Sequence, residues 1–148
     1  MKTLEEAYRR FGAKKWHNYS TWSSIADNGI VVITLWTHLM SFNKQEKKEY
    51  WSCFGTEGWW HKEIGNRKRI EHILYSLENH NGFFRAINVT PKNKDVNPLE
   101  IDKRGARPVE KKWWKVIEFE PMSGEFKAEC DWSWSLQKGE LFPNEEKD

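Results

Sequence analysis

Little in this chain of 148 residues announces a chemistry. Cysteine is scarce: Cys53 and Cys130 stand far apart with no CxxC spacing. That excludes a disulfide framework and leaves free buried thiols as the simplest expectation. Five scattered histidines and two lone cysteines make no zinc site, so no metal and no cofactor are expected. No hydrophobic run approaches the length of a membrane span, and Met1-Lys2-Thr3-Leu4-Glu5-Glu6 has no apolar leader. A soluble, cytoplasmic protein without a membrane partner is the expectation. Excess charge of one sign is also missing, since the net charge is +2. Nucleic-acid affinity would have to come from how charge is distributed, not from its sum. GxSxG, Walker A and GxGxxG patterns are absent. Glu78-Asn79-His80-Asn81 superficially resembles nuclease motifs, but a helix-then-strand context lacks their ββα metal frame, and these read as capping and turn residues.

What the chain does have is aromatic rings: 10 Trp, 8 Phe and 4 Tyr against a mean hydropathy of −0.88. A core of this size cannot comfortably hide so many indoles, each with an N–H that needs a partner. Some are expected at the surface, where exposed rings indicate recognition.

Gly65 to Val89 reads as helix, tight turn, strand, and it organises the rest. Ile70, Ile73, Leu74 and Leu77 fall on one helical face, Asn66 suits an N-cap, and Asn81-Gly82 is a stop signal. Phe83 to Val89 is aromatic and β-branched, as a strand should be. Upstream, Thr3-Leu4-Glu5-Glu6 is a capping box, with Leu4, Ala7, Tyr8 and Phe11 at helical spacing and Gly12 as the stop. Trp22 to Ala26 is a short strand, turned by Asp27-Asn28-Gly29 into Ile30 to Trp36, whose apolar run predicts cover on both faces. Lys44 to Glu49 reads as a charged loop or short helix, and Tyr50 to Phe54 as a strand. After Val89 a long polar connection with Pro91 and Pro98 carries no predicted element before Lys112. Long loops of this kind are functional or mobile. Lys112 to Glu120 and Glu125 to Trp132 form a hairpin about Pro121-Met122-Ser123-Gly124. In the return strand Phe126, Ala128, Cys130 and Trp132 share the core face. Of Trp113 and Trp114, one ring is expected in the core and the other partly exposed. This order predicts one α+β domain over residues 1–136 with a polar tail over 137–148. Its sheet is small, strongly curved and mostly antiparallel, or a β-barrel, with two or three helices packed on it.

Five islands mix cations with aromatics: Lys14-Lys15-Trp16, Trp59-Trp60-His61-Lys62, Arg67-Lys68-Arg69, Lys103-Arg104 with Arg107, and Lys111-Lys112-Trp113-Trp114-Lys115. Cations grip phosphate while rings stack on bases. The cations at the start of the central helix sit where the macrodipole is already positive, at a cost of about 0.3–1 kcal/mol each. Stability alone would not choose that, whereas an anion site would. Arg67, Lys68, Arg69, Arg85, Arg104, Arg107 and Lys112 are the phosphate-binding candidates. Trp59-Trp60, in a Gly-flanked loop, is the strongest stacking platform. The competing reading is that the rings fill a curved sheet and the lysines solubilise it.

Gly82-Phe83-Phe84-Arg85-Ala86-Ile87-Asn88-Val89, the Asp95 to Pro98 loop and Trp113-Trp114-Lys115-Val116-Ile117-Glu118-Phe119 resemble the pattern of PUA-like domains, especially the EVE, YTH and ASCH types. The resemblance covers the C-terminal half. It implies a small barrel with flanking helices and a pocket that holds a modified base between aromatic rings, with Trp22, Trp51, Trp59 and Trp60 as the base-stacking candidates and Asn18 and Asn66 hydrogen-bonding the base edge. The leading expectation is a non-catalytic module that binds nucleic acid by a modified or flipped base. Two alternatives stay open. One is a phage or mobile-element protein-interaction or inhibitor protein that uses exposed Trp as anchors. The other is a small nucleotide hydrolase with His61, His72 or Glu71 in its pocket.

Overall fold

The computed structural model describes residues 3–13, 21–56, 58–134, 136, 138 and 140–143, with Lys103 described by its backbone alone. The first helix, α1 (Leu4–Arg10), starts at the expected capping box. Glu6 N donates to Thr3 Oγ1 at 3.3 Å and Thr3 N donates to Glu6 Oε1 at 3.2 Å. Among the described residues seven strands follow: β1 (Ser23–Ile25), β2 (Val31–Trp36), β3 (Met40–Asn43), β4 (Lys48–Ser52), β5 (Phe83–Pro91), β6 (Ile101–Phe119) and β7 (Phe126–Asp131). The second helix, α2 (Ile64–Asn79), lies between β4 and β5 in the chain. Short 3₁₀ turns at Thr37–Leu39 and Gly58–Trp60 complete the order.

The strands form one sheet in the order β1-β2-β5-β6-β7-β4-β3. All pairs are antiparallel except β2 with β5. The sheet is open, with β1 and β3 at its two edges, and so is not the closed barrel that was one form of the expectation. It is nonetheless curled. β2 and β3 stand five strand steps apart, about 24 Å across a flat sheet. Only Thr37–Leu39 joins them, a stretch that reaches about 14 Å at most. The indole Nε1 of Trp51 on β4 also donates to the carbonyl of Trp36 at the end of β2, at 3.0 Å. Two strands far apart in the ladder therefore meet at one end of the sheet.

The curl divides the core. Val31, Ile33 and Leu35 point inward with Trp51, Phe84, Trp114, Phe126 and Ile73 of α2. Val32 faces the other way, with Ile87, Val89 and Ala106, under Leu4, Ala7 and Tyr8 of α1. The apolar run of β2 is thus covered on both faces, as its composition requires. Ile30, Phe83 and Trp113 make a third cluster.

Four local expectations need correction. Lys44 to Glu49 is neither simple loop nor helix: a turn over residues 44–47, with Lys47 at φ +53°, joins the missed strand β3 to β4. The polar segment before Lys112 is largely strand, because β6 begins at Ile101 and pairs with β5 from Pro91 back to Phe83. Its polar residues hid the alternation. Trp113 and Trp114 are both buried, since the face opposite the main core is covered by the third cluster. Trp132 lies past the end of β7, is 47 % exposed, and stacks on Phe42 at 5.0 Å. Within the expected polar tail, Phe142 stacks on His80 at 4.2 Å and leans on Trp113 at 5.1 Å.

Candidate functional site

α2 presents to the sheet a face turned away from the one its apolar spacing predicts, with Ile73 common to both. The buried positions are Gly65, Asn66, Arg69, Ile73 and Ser76, while Leu74 and Leu77 are 43 % and 39 % exposed. Three of the five are polar, and each has a reason. Ser76 Oγ donates to Phe83 O at 2.7 Å, locking the helix end to β5 across the turn at Asn81 and Gly82. Asn66 is not the N-cap; that place is taken by Glu63, without a side-chain bond. Asn66 Nδ2 donates to His61 O at 3.0 Å and to Ser123 O at 2.8 Å, so the amide clamps two loops. A base-bonding role for Asn66 is corrected by this: the side chain is 1 % exposed and its donors are spent.

Arg69 is the third polar residue, at 4 % exposure. Its guanidinium is ringed by Trp22, Trp60 and Phe126, at 5.1, 5.3 and 5.0 Å from the ring centroids. Nη2 donates to Asn66 Oδ1 at 3.4 Å, and Nε is buried without a partner. Burial pulls its pKa down to about 10, which leaves it charged at neutral pH. The ionisable groups that act on its charge, Cys53 and Tyr8, are held neutral by burial, which raises both. Among the described residues no carboxylate pairs with Arg69.

Arg69 forms part of the wall of a cavity of about 360 Å³ at the curled end of the sheet. Trp36 arrives from the end of β2, and His38 and Leu39 from the 3₁₀ turn after it. Trp51 and Cys53 come from β4 and the residue beyond it, Trp59 and Trp60 from the second 3₁₀ turn, and Trp22 from the chain before β1. Lys94, Asp95, Asn97 and Leu99 of the long loop form the outer wall. A second lobe of about 570 Å³ shares Trp22, Trp36, Trp59, Arg69 and Leu99, and adds Thr34, Glu63, Lys92 and Glu100. Trp51 and Trp60 are buried, with Trp60 Nε1 donating to Thr56 Oγ1 at 3.0 Å. Trp22 and Trp59 are half-buried and meet edge to face at 6.2 Å. Burial, with the Lys94 charge adding to it, lowers the pKa of His38 at the rim.

The four stacking candidates, Trp22, Trp51, Trp59 and Trp60, therefore share one cavity. The phosphate candidates do not. Arg67 and Lys68 are exposed on α2 beside it, and Lys68 lies 3.7 Å from Glu71. Arg69 is inside the cavity, not on its rim. Arg104 lies 3.9 Å from Glu6 of α1, and Arg107 is exposed further along β6. Neither borders the cavity. Arg85 is corrected as a free grip: it donates to Glu110 O at 2.8 Å and to Lys112 O at 3.1 Å, 4.0 Å from the Trp113 centroid. Lys112 is likewise engaged, 2.7 Å from Glu49 Oε2 and 4.9 Å from the Trp132 centroid. Asn18, with Lys14, Lys15 and Trp16, lies outside the described residues.

The histidines named for hydrolysis do not cluster. His72 Nδ1 is 2.7 Å from Ser23 Oγ, and His61 sits edge-on to Trp60 at 4.2 Å. Among the described residues no set of His, Cys, Asp and Glu can hold a metal ion. Both cysteines are buried free thiols, and among the described residues no helix is long and apolar enough to cross a membrane. Sequence reasoning missed Trp36, which read only as the end of a strand, and Lys92, Lys94 and Asp95 of the long loop. The loop length was the available signal for the latter. No family model, curated protein or solved structure matches this chain.

Proposed function

We propose that this protein is a nucleic-acid-binding module that draws an extruded base into the tryptophan cavity. The observation that carries this reading is the convergence of Trp22, Trp36, Trp51, Trp59 and Trp60, from four separate segments, on a space they do not fill. Rings recruited only to build a core would interdigitate, because interiors tolerate few voids larger than a water molecule. Here the walls stand apart around about 360 Å³, within the range of small-molecule sites. Flat, electron-rich faces suit a flat guest held by stacking. Lys92 and Lys94, which line the two lobes, supply cations for the strand that carries the base, and Arg67 and Lys68 stand exposed on α2, the helix that carries Arg69. The resemblance of Gly82 to Val89 and Trp113 to Phe119 to PUA-like domains supports the same reading, with a modified base as the guest.

Intrinsic tryptophan emission provides the test. Titration with single-stranded and duplex oligonucleotides, with and without modified bases, should quench it saturably. Trp59→Ala should weaken binding by about tenfold or more, the scale of one lost stacking contact. Lys92→Ala with Lys94→Ala should weaken all sequences alike and lower the slope of affinity against salt by about 2. Binding that survives Trp59→Ala intact would refute the stacking role.

A further inference from the structure

We propose that the guest of the cavity carries an oxyanion, a phosphate or a carboxylate, that is received by Arg69. This rests on the reading of the cavity as the seat of an aromatic base and names the chemistry of what that base must bring with it.

A buried charge is retained in a fold when something compensates it. Arg69 has three ring faces around it and one long hydrogen bond, to Asn66 Oδ1 at 3.4 Å. Ring faces replace part of the lost hydration but not a counter-ion. Among the described residues none of the wall carboxylates, Glu63, Asp95 and Glu100, forms an ion pair with Arg69, and Glu100 lies 3.3 Å from Lys92. For stability alone, Met or Leu would serve better at this position. With no counter-ion in place among the described residues, the partner is one that arrives.

The geometry suits an oxyanion more than any other acceptor. A guanidinium presents a rigid fork that matches the paired oxygens of carboxylate and phosphate. The Asn66 amide, oriented by two carbonyls, turns its Oδ1 toward one arm of that fork at 3.4 Å. Nε is left buried and unpaired. Arg69 also belongs to both lobes, so an anion at their junction leaves the tryptophan faces to the ring attached to it. A cationic guest, which an aromatic cage alone would welcome, is repelled here.

The full chain is titrated, by tryptophan emission and by calorimetry, with matched pairs: guanosine 5′-monophosphate against guanosine, and orotate against uracil. Inorganic phosphate is the ring-free probe, read as a shift in Tm. At least one anionic member should bind about tenfold or more tighter than its neutral twin, the scale of a charge-assisted pair. The pair that shows the preference distinguishes phosphate from carboxylate. Arg69→Met should erase the preference, and Arg69→Lys, which keeps charge but not the fork, should retain only part of it. Should Arg69→Met lose its near-ultraviolet circular dichroism, Arg69→Lys carries the test alone. Equal affinity within both pairs, or a preference that survives substitution, overturns the oxyanion while leaving the base reading intact. Phosphate raising Tm through Arg69 with no ring compound bound supports the anion site and removes the base. Absence of binding by every probe overturns both.

Discussion

Asn66→Ala reaches further into the structure than its small size suggests. The substitution deletes the donor shared by His61 O and Ser123 O, at 3.0 and 2.8 Å. A partly buried carbonyl left without its donor costs about 1–3 kcal/mol, the low end applying where water can replace the donor. Two such carbonyls come to about 2–4 kcal/mol, while the 3.4 Å bond to Arg69 is too long to add much. Against a total stability of about 5–15 kcal/mol this is a large fraction. At about 2–4 °C per kcal/mol for a chain of this length, Tm should fall by about 4–16 °C. Urea unfolding followed by tryptophan emission measures it, with an unchanged m-value showing that the native compactness is kept. A loss below about 0.5 kcal/mol would refute the clamp, since that is what a surface substitution does. A clear loss of oligonucleotide affinity at full stability would instead restore Asn66 to the base edge.

Gly124 sits at φ +87° with no room for a Cβ, which would overlap the Asn66 amide. Gly124→Ala should therefore cost about 1–2 kcal/mol for the backbone alone, and more for the displaced amide, in the same urea assay. His72 is held below its ordinary pKa by burial and lies 2.7 Å from Ser23 Oγ. Its neutral form favours the fold, so the stability it contributes is full above about pH 6.5 and drains away as pH falls through the lowered pKa. His72→Gln should flatten that part of the stability–pH curve. Cys53 and Cys130 are buried with raised pKa values, Cys130 pushed up to about 12. Both should resist iodoacetamide at pH 8 in the native state and react at once in urea. Rapid labelling of the native chain would show the sheet interior to be open.

How much of this could be read from the chain depends on whether apolar order and burial agreed. They agree in β2, where the run from Val31 to Leu35 is covered on both sides. They agree at the Thr3–Glu6 capping box and at the Asn81-Gly82 turn. They part on α2, where Leu74 and Leu77 suggest a face that is half in water. The face that is buried carries Asn66, Arg69 and Ser76, and nothing in a periodicity of apolar residues reveals it. Such a break between local pattern and global burial is expected where a site has been built into a helix. Trp22, Trp51, Trp59 and Trp60 were legible as residue types suited to stacking, but their meeting depends on the curl that brings the ends of β2 and β4 together. The long loop could be recognised as significant but not placed. The cations were the least legible part, because charge in sequence does not say whether a side chain is already spent, as Arg85 and Lys112 are.

The curled sheet is never zipped shut, and that governs how anything enters it. Near the cavity its two ends are held by the three residues Thr37–Leu39 and by the Trp51 indole on the Trp36 carbonyl. A doorway in a closed barrel can widen only by peeling a ladder of backbone bonds. Here, widening between Trp36 and Trp51 breaks no ladder: it gives up one side-chain bond, about 0.5–1.5 kcal/mol, and part of the packing of the Trp51 ring, while every strand keeps its neighbours. The same indole that forms the back wall is thus also the latch.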